Sequence, residues 1–206
     1  MRVLGISGSL RDGSHNTRLL RAAAIAPPPG TRLKVYGSLR DVPPFDEDAE
    51  RDGLAPAAVA ELRDAVAAAD ALLIATPEYN GSVPGQLKNA LDWLSRPLES
   101  NPLRGKPVAV VGASTGLFGA VWAQADLRRV LGVIGADVLD AELPVGTADQ
   151  AFTPGGRLAD PDLDAAMAVL LSALRARTHG GAAGSAAPRA AAGAAVPAQR
   201  MSCGPL

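Results

Sequence analysis

The chain has 206 residues, of which 48% are apolar, and a formal net charge of −1. It is long enough for one domain with a sizeable core, and its charge balance gives no footing to nucleic acid or an anionic membrane as partner. A single Cys (Cys203) and two His exclude a disulfide framework and speak against a zinc or haem site. No apolar run reaches membrane-spanning length, and the cytoplasm is the expected compartment.

Arg2 to Ser7 reads as a short buried strand, and Ser14 to Ala26 as a helix ended by Pro27-Pro28-Pro29-Gly30. Arg32 to Tyr36 alternates polar and apolar residues, as an edge strand does. Gly37 to Ala55 reads as a long acidic loop, and Pro56 opens a helix reaching Ala69. Ala71 to Ala75 is apolar at every position, which suits a strand covered on both faces. Gln86 to Leu94 is helical, Lys106 to Val111 is another apolar strand, Leu117 to Leu131 is helical and Ala136 to Leu139 is a last strand. Asp160-Pro161 caps a final helix carrying Leu163, Met167, Leu170, Leu171 and Leu174. This alternation predicts an α/β fold: a doubly wound, five-stranded parallel sheet with helices on both faces. Residues 1–179 form the expected domain. The Ala/Gly/Pro-rich remainder, 180–206, reads as a disordered tail.

Three loops follow the carboxyl ends of strands, where open α/β sheets bind ligands. The first, Gly5 to Thr17, lacks both the dinucleotide fingerprint and the phosphate-loop lysine. It offers Ser9, Arg11, Ser14, Asn16 and Thr17 beside a helix start with no acidic residue between Asp12 and Asp41, which suits one terminal phosphate. Plain helix capping by Ser14 and Asn16 explains the same residues equally well. The second, Pro77-Glu78-Tyr79-Asn80-Gly81, is a stiff polar corner in which Tyr79 and nearby amides suit the wall and edge of a flat heteroaromatic ring. The third, Gly112-Ala113-Ser114-Thr115-Gly116, matches the G-x-S-x-G elbow of serine hydrolases, but the only later histidine is His179, beside the tail. The alternative is a second ligand loop using Ser114 and Gly116. Lys88 and Asp92 suit an ion pair on a solvated helix face. Trp93 and Trp122 suit core or subunit-contact positions.

The segments Gly8 to Asn16, Pro77 to Trp93 and Gly112 to Gly116 together resemble the NADPH-dependent FMN reductase family, a flavodoxin-like group that includes chromate, quinone and azo-dye reductases. The resemblance implies sheet order 2-1-3-4-5, a non-covalent FMN, NADPH or NADH as co-substrate, and a homodimer or homotetramer. It implies that Ser9, Arg11, Ser14 and Asn16 hold the phosphate. Pro77, Glu78, Tyr79, Asn80 and Gly81 would contact the ring and ribityl chain, and Ser114 and Gly116 would close the far side. It further implies hydride transfer from NAD(P)H to the flavin and then reduction of a small-molecule acceptor, with no catalytic acid or base from the protein. A flavodoxin-type electron carrier shares the fold and cofactor, but such carriers dock through a strongly charged face, which a net charge of −1 does not favour.

Overall fold

The computed structural model describes residues 1–51 and 55–180; of His179 and Gly180 only the backbone is described. The expected tail lies outside the described residues, apart from Gly180, which ends the last helix. The sheet is parallel, and its main path runs β2 (Arg32–Val35), β1 (Arg2–Ser7), β3 (Ala71–Thr76), β4 (Pro107–Ala113), β5 (Asp137–Val138). The order 2-1-3-4-5 is as expected, with β2 on the edge.

Because side chains alternate across a strand, each central strand feeds two cores. Leu4, Ile6, Leu72, Ile74, Val108 and Val110 face one side, packed with Val59, Leu62 and Val66 of α3 (Ala57–Ala68). Leu87 and Leu91 of α4 (Gly85–Leu94) and Leu127 and Leu131 of α5 (Val121–Ile134) complete that core. Val3, Leu73, Ala75, Ala109 and Val111 face the other side. There they meet Leu19 and Leu20 of α1 (His15–Ile25) and Leu170, Leu171 and Leu174 of α6 (Pro161–Gly180). All six residues of β3 are buried, which explains why that stretch shows no polar alternation.

Three elements depart from the sequence reading. The expected acidic loop contains a short helix, α2 (Glu47–Arg51). Asp46 starts it by accepting from the Asp48 N–H at 2.9 Å, and Glu47, Asp48 and Glu50 favour its positive end. The helix expected from Leu117 begins only at Val121, because Gly119 (φ 55°) and Ala120 (φ 61°) are left-handed. The last strand is broken in two: β5 pairs with β4 at Pro107 and Val108, and β6 (Pro144–Val145) pairs with the same edge at Gly112 and Ala113. Fully buried Gln124 of α5 holds this break. Its Oε1 accepts from the Leu143 N–H at 3.2 Å and its Nε2 donates to the Gly119 carbonyl at 2.9 Å. Trp93 is core, 1% exposed, whereas Trp122 is 54% exposed and belongs to no core. Lys88 and Asp92 pair at 2.7 Å on a solvated face, as expected.

Candidate active site

The three loops meet at the carboxyl ends of β1, β3 and β4. Ser9, Arg11, Ser14, His15 and Asn16 of the first loop, Pro77, Glu78 and Tyr79 of the second, and Ala113, Ser114 and Thr115 of the third line one cavity of about 130 Å³. Thr17, Asn80, Gly81 and Gly116 are not among its lining residues.

Several side chains that the sequence nominated for a ligand are held by the protein itself. Asn16 is 2% exposed and pairs twice with the Ala113 backbone: Nδ2 donates to the carbonyl and Oδ1 accepts from the N–H, each at 2.9 Å. It ties the first loop to the end of β4. Ser14 is the N-cap of α1, its Oγ accepting from the Thr17 N–H at 3.1 Å, so capping is real. Thr17 donates its hydroxyl to Ser7 Oγ at 2.9 Å. What this loop presents is the Ser9 and Ser14 hydroxyls, the Arg11 guanidinium and the first N–H groups of α1. The first turn of α1 carries no acid, so its positive end is uncompensated. His15 Nδ1 is buried with no partner among the described residues.

The central loop is fastened to α5 at two points. Ala120, the N-cap of α5, gives that helix no side-chain cap. Glu78 does so from across the site, its Oε2 accepting from the Ala123 N–H at 3.0 Å. Ser82 donates to Asp126 Oδ2 at 2.6 Å. Between them Tyr79 and Ser82 exchange backbone bonds at 3.2 Å, with Asn80 (φ 55°) and Gly81 (φ 74°) at the tip. Two consecutive positive φ values are those of a type I′ turn, and Asn-Gly is its preferred pair. Tyr79 stands 50% exposed beside the cavity.

Ser82, first, and Arg129, second, hold the Asp126 carboxyl below the ordinary carboxylate range. A depressed folded-state pKa means the fastening is present above the ordinary Asp value and is lost as pH falls through the depressed one. The protection of the amides across residues 79–83, taken relative to the intrinsic exchange rate at each pH, should therefore fall in acid, below about pH 4. Asp126→Asn should show the lower protection already at neutral pH.

In the third loop, Ser114 Oγ accepts from the Gly116 N–H at 3.1 Å, and the Ser114 backbone bonds Val145 and Ala148. Leu117 (79% exposed), Phe118 (63%) and Trp122 form an apolar flank, the two rings 5.2 Å apart, edge to face. Composition and periodicity carried no sign of this flank.

The profile of the NADPH-dependent FMN reductase family matches residues 1–150. The chain belongs to that family. It is 46% identical over 161 residues to an NAD(P)H-dependent FMN reductase of Pseudomonas aeruginosa, covering 78% of this chain and 85% of that protein. It is 40% identical over 140 residues to a quinone reductase of Escherichia coli, covering 68% and 74%. The solved structure of FerB, a flavoenzyme NAD(P)H:(acceptor) oxidoreductase from Paracoccus denitrificans, superposes with a TM-score of 0.76 at 31% identity, over 87% of this chain and 97% of that one.

This FMN reductase relative is thus an oxidoreductase with a flavodoxin-like fold, whose cofactor is FMN and whose reductant is a nicotinamide nucleotide. The residues present fit the phosphate of FMN. A small polar cavity, an uncompensated helix end, a guanidinium without an ion-pair partner among the described residues and an orphaned imidazole nitrogen together ask for an anion. The hydrolase alternative fails on geometry. A nucleophile elbow is a sharp, strained turn leading straight into a helix. Ser114 is not among the positive-φ residues, α5 starts seven positions later, and the Ser114 hydroxyl accepts from a backbone N–H with no base bonded to it among the described residues.

A larger cavity, about 1040 Å³, opens at the opposite ends of the strands, where both carboxylates of its lining, Asp70 and Asp137, are already engaged by arginines and Lys106 is bonded to backbone carbonyls. Arg2 pairs with Asp70, Arg177 pairs with Asp137, and Lys106 donates to the carbonyls of Ala67 and Ala69. No helix among the described residues is long and apolar enough to cross a membrane.

Proposed function

We propose that the protein is an FMN-dependent NAD(P)H oxidoreductase that reduces quinones, azo compounds, metal oxyanions or free flavin by a ping-pong sequence. When bound, FMN would supply the redox chemistry that links oxidation of the nicotinamide to reduction of the acceptor. The observation that carries this reading is the convergence of three strand-end loops on a phosphate-sized polar cavity without a paired acid and base. Ser9, Arg11, Ser14 and the amides of His15 and Asn16 hold the phosphate. Pro77, Tyr79, Asn80 and Gly81 support the ring through a turn stapled to α5, and Glu78 acts by fixing that helix. Ser114 and Gly116 close the far side. The exposed Leu117, Phe118 and Trp122 suit contact with a second copy of the chain in a homodimer or homotetramer.

Purified protein loaded with FMN should lose its flavin absorbance anaerobically on titration with NADPH or NADH. Bound FMN that neither nucleotide bleaches would return the protein to the electron-carrier reading. Arg11→Ala should weaken FMN binding by about 1 to 3 kcal/mol, measured by fluorescence quenching; undiminished affinity would remove Arg11 from the phosphate site.

A further inference from the structure

A second cavity, about 620 Å³, adjoins the phosphate cavity and shares two walls with it, Arg11 and Tyr79. Its other walls include Asp12, Arg40, Gly85 and Gln86. Arg40 sits in the segment after β2, which the sequence reading passed over as loop.

That segment is rigid at this point. Leu39 and Val42 are buried, 1% and 3% exposed, and the Val42 N–H bonds the Leu39 carbonyl at 3.2 Å. Gln86 Nε2 donates to the carbonyls of both, at 2.6 and 2.8 Å. The Arg40 N–H bonds Ser38 Oγ at 3.0 Å, and Arg40 Nη2 donates to the Leu10 carbonyl at 2.6 Å. The guanidinium is therefore preorganised, with most of its donors uncommitted. Neither Arg40 nor Arg11 is ion-paired among the described residues. Gly85 and Gln86 open α4, which has no acid in its first turn and no side-chain cap, so the field at this cavity is positive on a second side. Asp12 is the single carboxylate among its walls.

Two guanidinium groups without an ion pair among the described residues, that of Arg40 held by the Leu10 carbonyl, beside a ring-supporting tyrosine describe a receptor for phosphate attached to something that reaches the ring. We propose that Arg40 anchors the phosphate groups of the nicotinamide nucleotide in this second cavity, while Arg11 serves the FMN phosphate in the first. The proposal rests on the oxidoreductase reading above. The diphosphate is common to NADH and NADPH, and the 2′-phosphate belongs to NADPH alone, so the two nucleotides separate the sources.

The test compares the wild-type FMN-loaded protein with Arg40→Ala and Arg40→Lys. KM is measured for NADPH and NADH, and binding of NADP+ and NAD+ to the oxidised protein is measured by calorimetry. FMN affinity and Tm report on the first loop, which Arg40 also supports. Removing a charge-assisted contact should raise KM and weaken oxidised-nucleotide binding at least about tenfold, with partial rescue by lysine and FMN affinity within about twofold. Loss toward both nucleotides assigns the contact to the diphosphate, and loss toward NADPH and NADP+ alone assigns it to the 2′-phosphate. Unchanged nucleotide binding in Arg40→Ala overturns the proposal. So does a change in FMN affinity with nucleotide binding intact, because Arg40 then acts only on the Leu10 loop. A wild-type protein whose flavin neither nucleotide reduces overturns the oxidoreductase reading instead. If it also binds neither oxidised nucleotide, both fall.

Discussion

Asn16→Ala should destabilise the FMN-free protein by about 2 to 6 kcal/mol, although the sequence nominates Asn16 as a cofactor ligand. Its amide satisfies both polar groups of the Ala113 backbone at a site where Asn16 and Ala113 are 2% and 3% exposed. Truncation leaves a buried N–H and a buried carbonyl unmatched, each costing about 1 to 3 kcal/mol. For a domain of this size the shift in Tm is roughly 4 to 24 °C. The first and third loops would also separate, so FMN retention should fall in parallel. Asn16→Asp is the sharper variant. It keeps an acceptor for the Ala113 N–H but sets a carboxylate against the Ala113 carbonyl, and it adds negative charge where a phosphate is expected. A direct phosphate ligand predicts the opposite pattern, weaker FMN binding with the FMN-free Tm unmoved, and calorimetry of the FMN-free protein distinguishes the two.

That case shows which parts of the site the sequence could express. Strand and helix types and the three loops were legible, because burial on both faces leaves unbroken apolar runs and a parallel sheet puts its ligand loops at one end; the sheet order came only with the family resemblance. Residue types also marked the loops as polar. They did not show which polar atoms face the ligand, because that depends on partners far away in the chain. Asn16 meets Ala113, Glu78 meets Ala123, and Ser82 meets Asp126. The family resemblance assigns Glu78 to the cofactor, and a stiff polar corner shows no evident folding need of its own. Its need lies 45 positions away, in a helix that lacks its own cap. Two signals were local and readable. Asn80-Gly81 announces a type I′ turn, and the acidic run after Phe45 announces a helix start at Asp46. The split last strand had no local signature, since it depends on Gln124 reaching two segments at once.

Gly119→Ala should damage the third loop as severely as Asn16→Ala damages the first. A Cβ at Gly119 would lie 2.5 Å from both the Pro144 carbonyl carbon and the Val145 nitrogen. Those are backbone atoms of β6, and no rotamer change relieves them. Gly119 also has φ +55°, which costs a residue with a Cβ about 1 to 2 kcal/mol. Adding the overpacking cost of about 1 to 3 kcal/mol gives a loss of about 2 to 5 kcal/mol. The strain falls on the contact between residues 116–120 and β6, so the loop carrying Ser114 should lift from the sheet. FMN retention should then fall more than global stability alone would require. Gly132→Ala provides the contrast within the neighbouring helix. Its Cβ would meet nothing within 4 Å, and the replacement should stabilise α5 by about 0.4 to 1 kcal/mol. Denaturant titrations of both variants, with and without FMN, test the argument. Equal stability of the two would mean that β6 yields freely, and the seating of the third loop would need another cause.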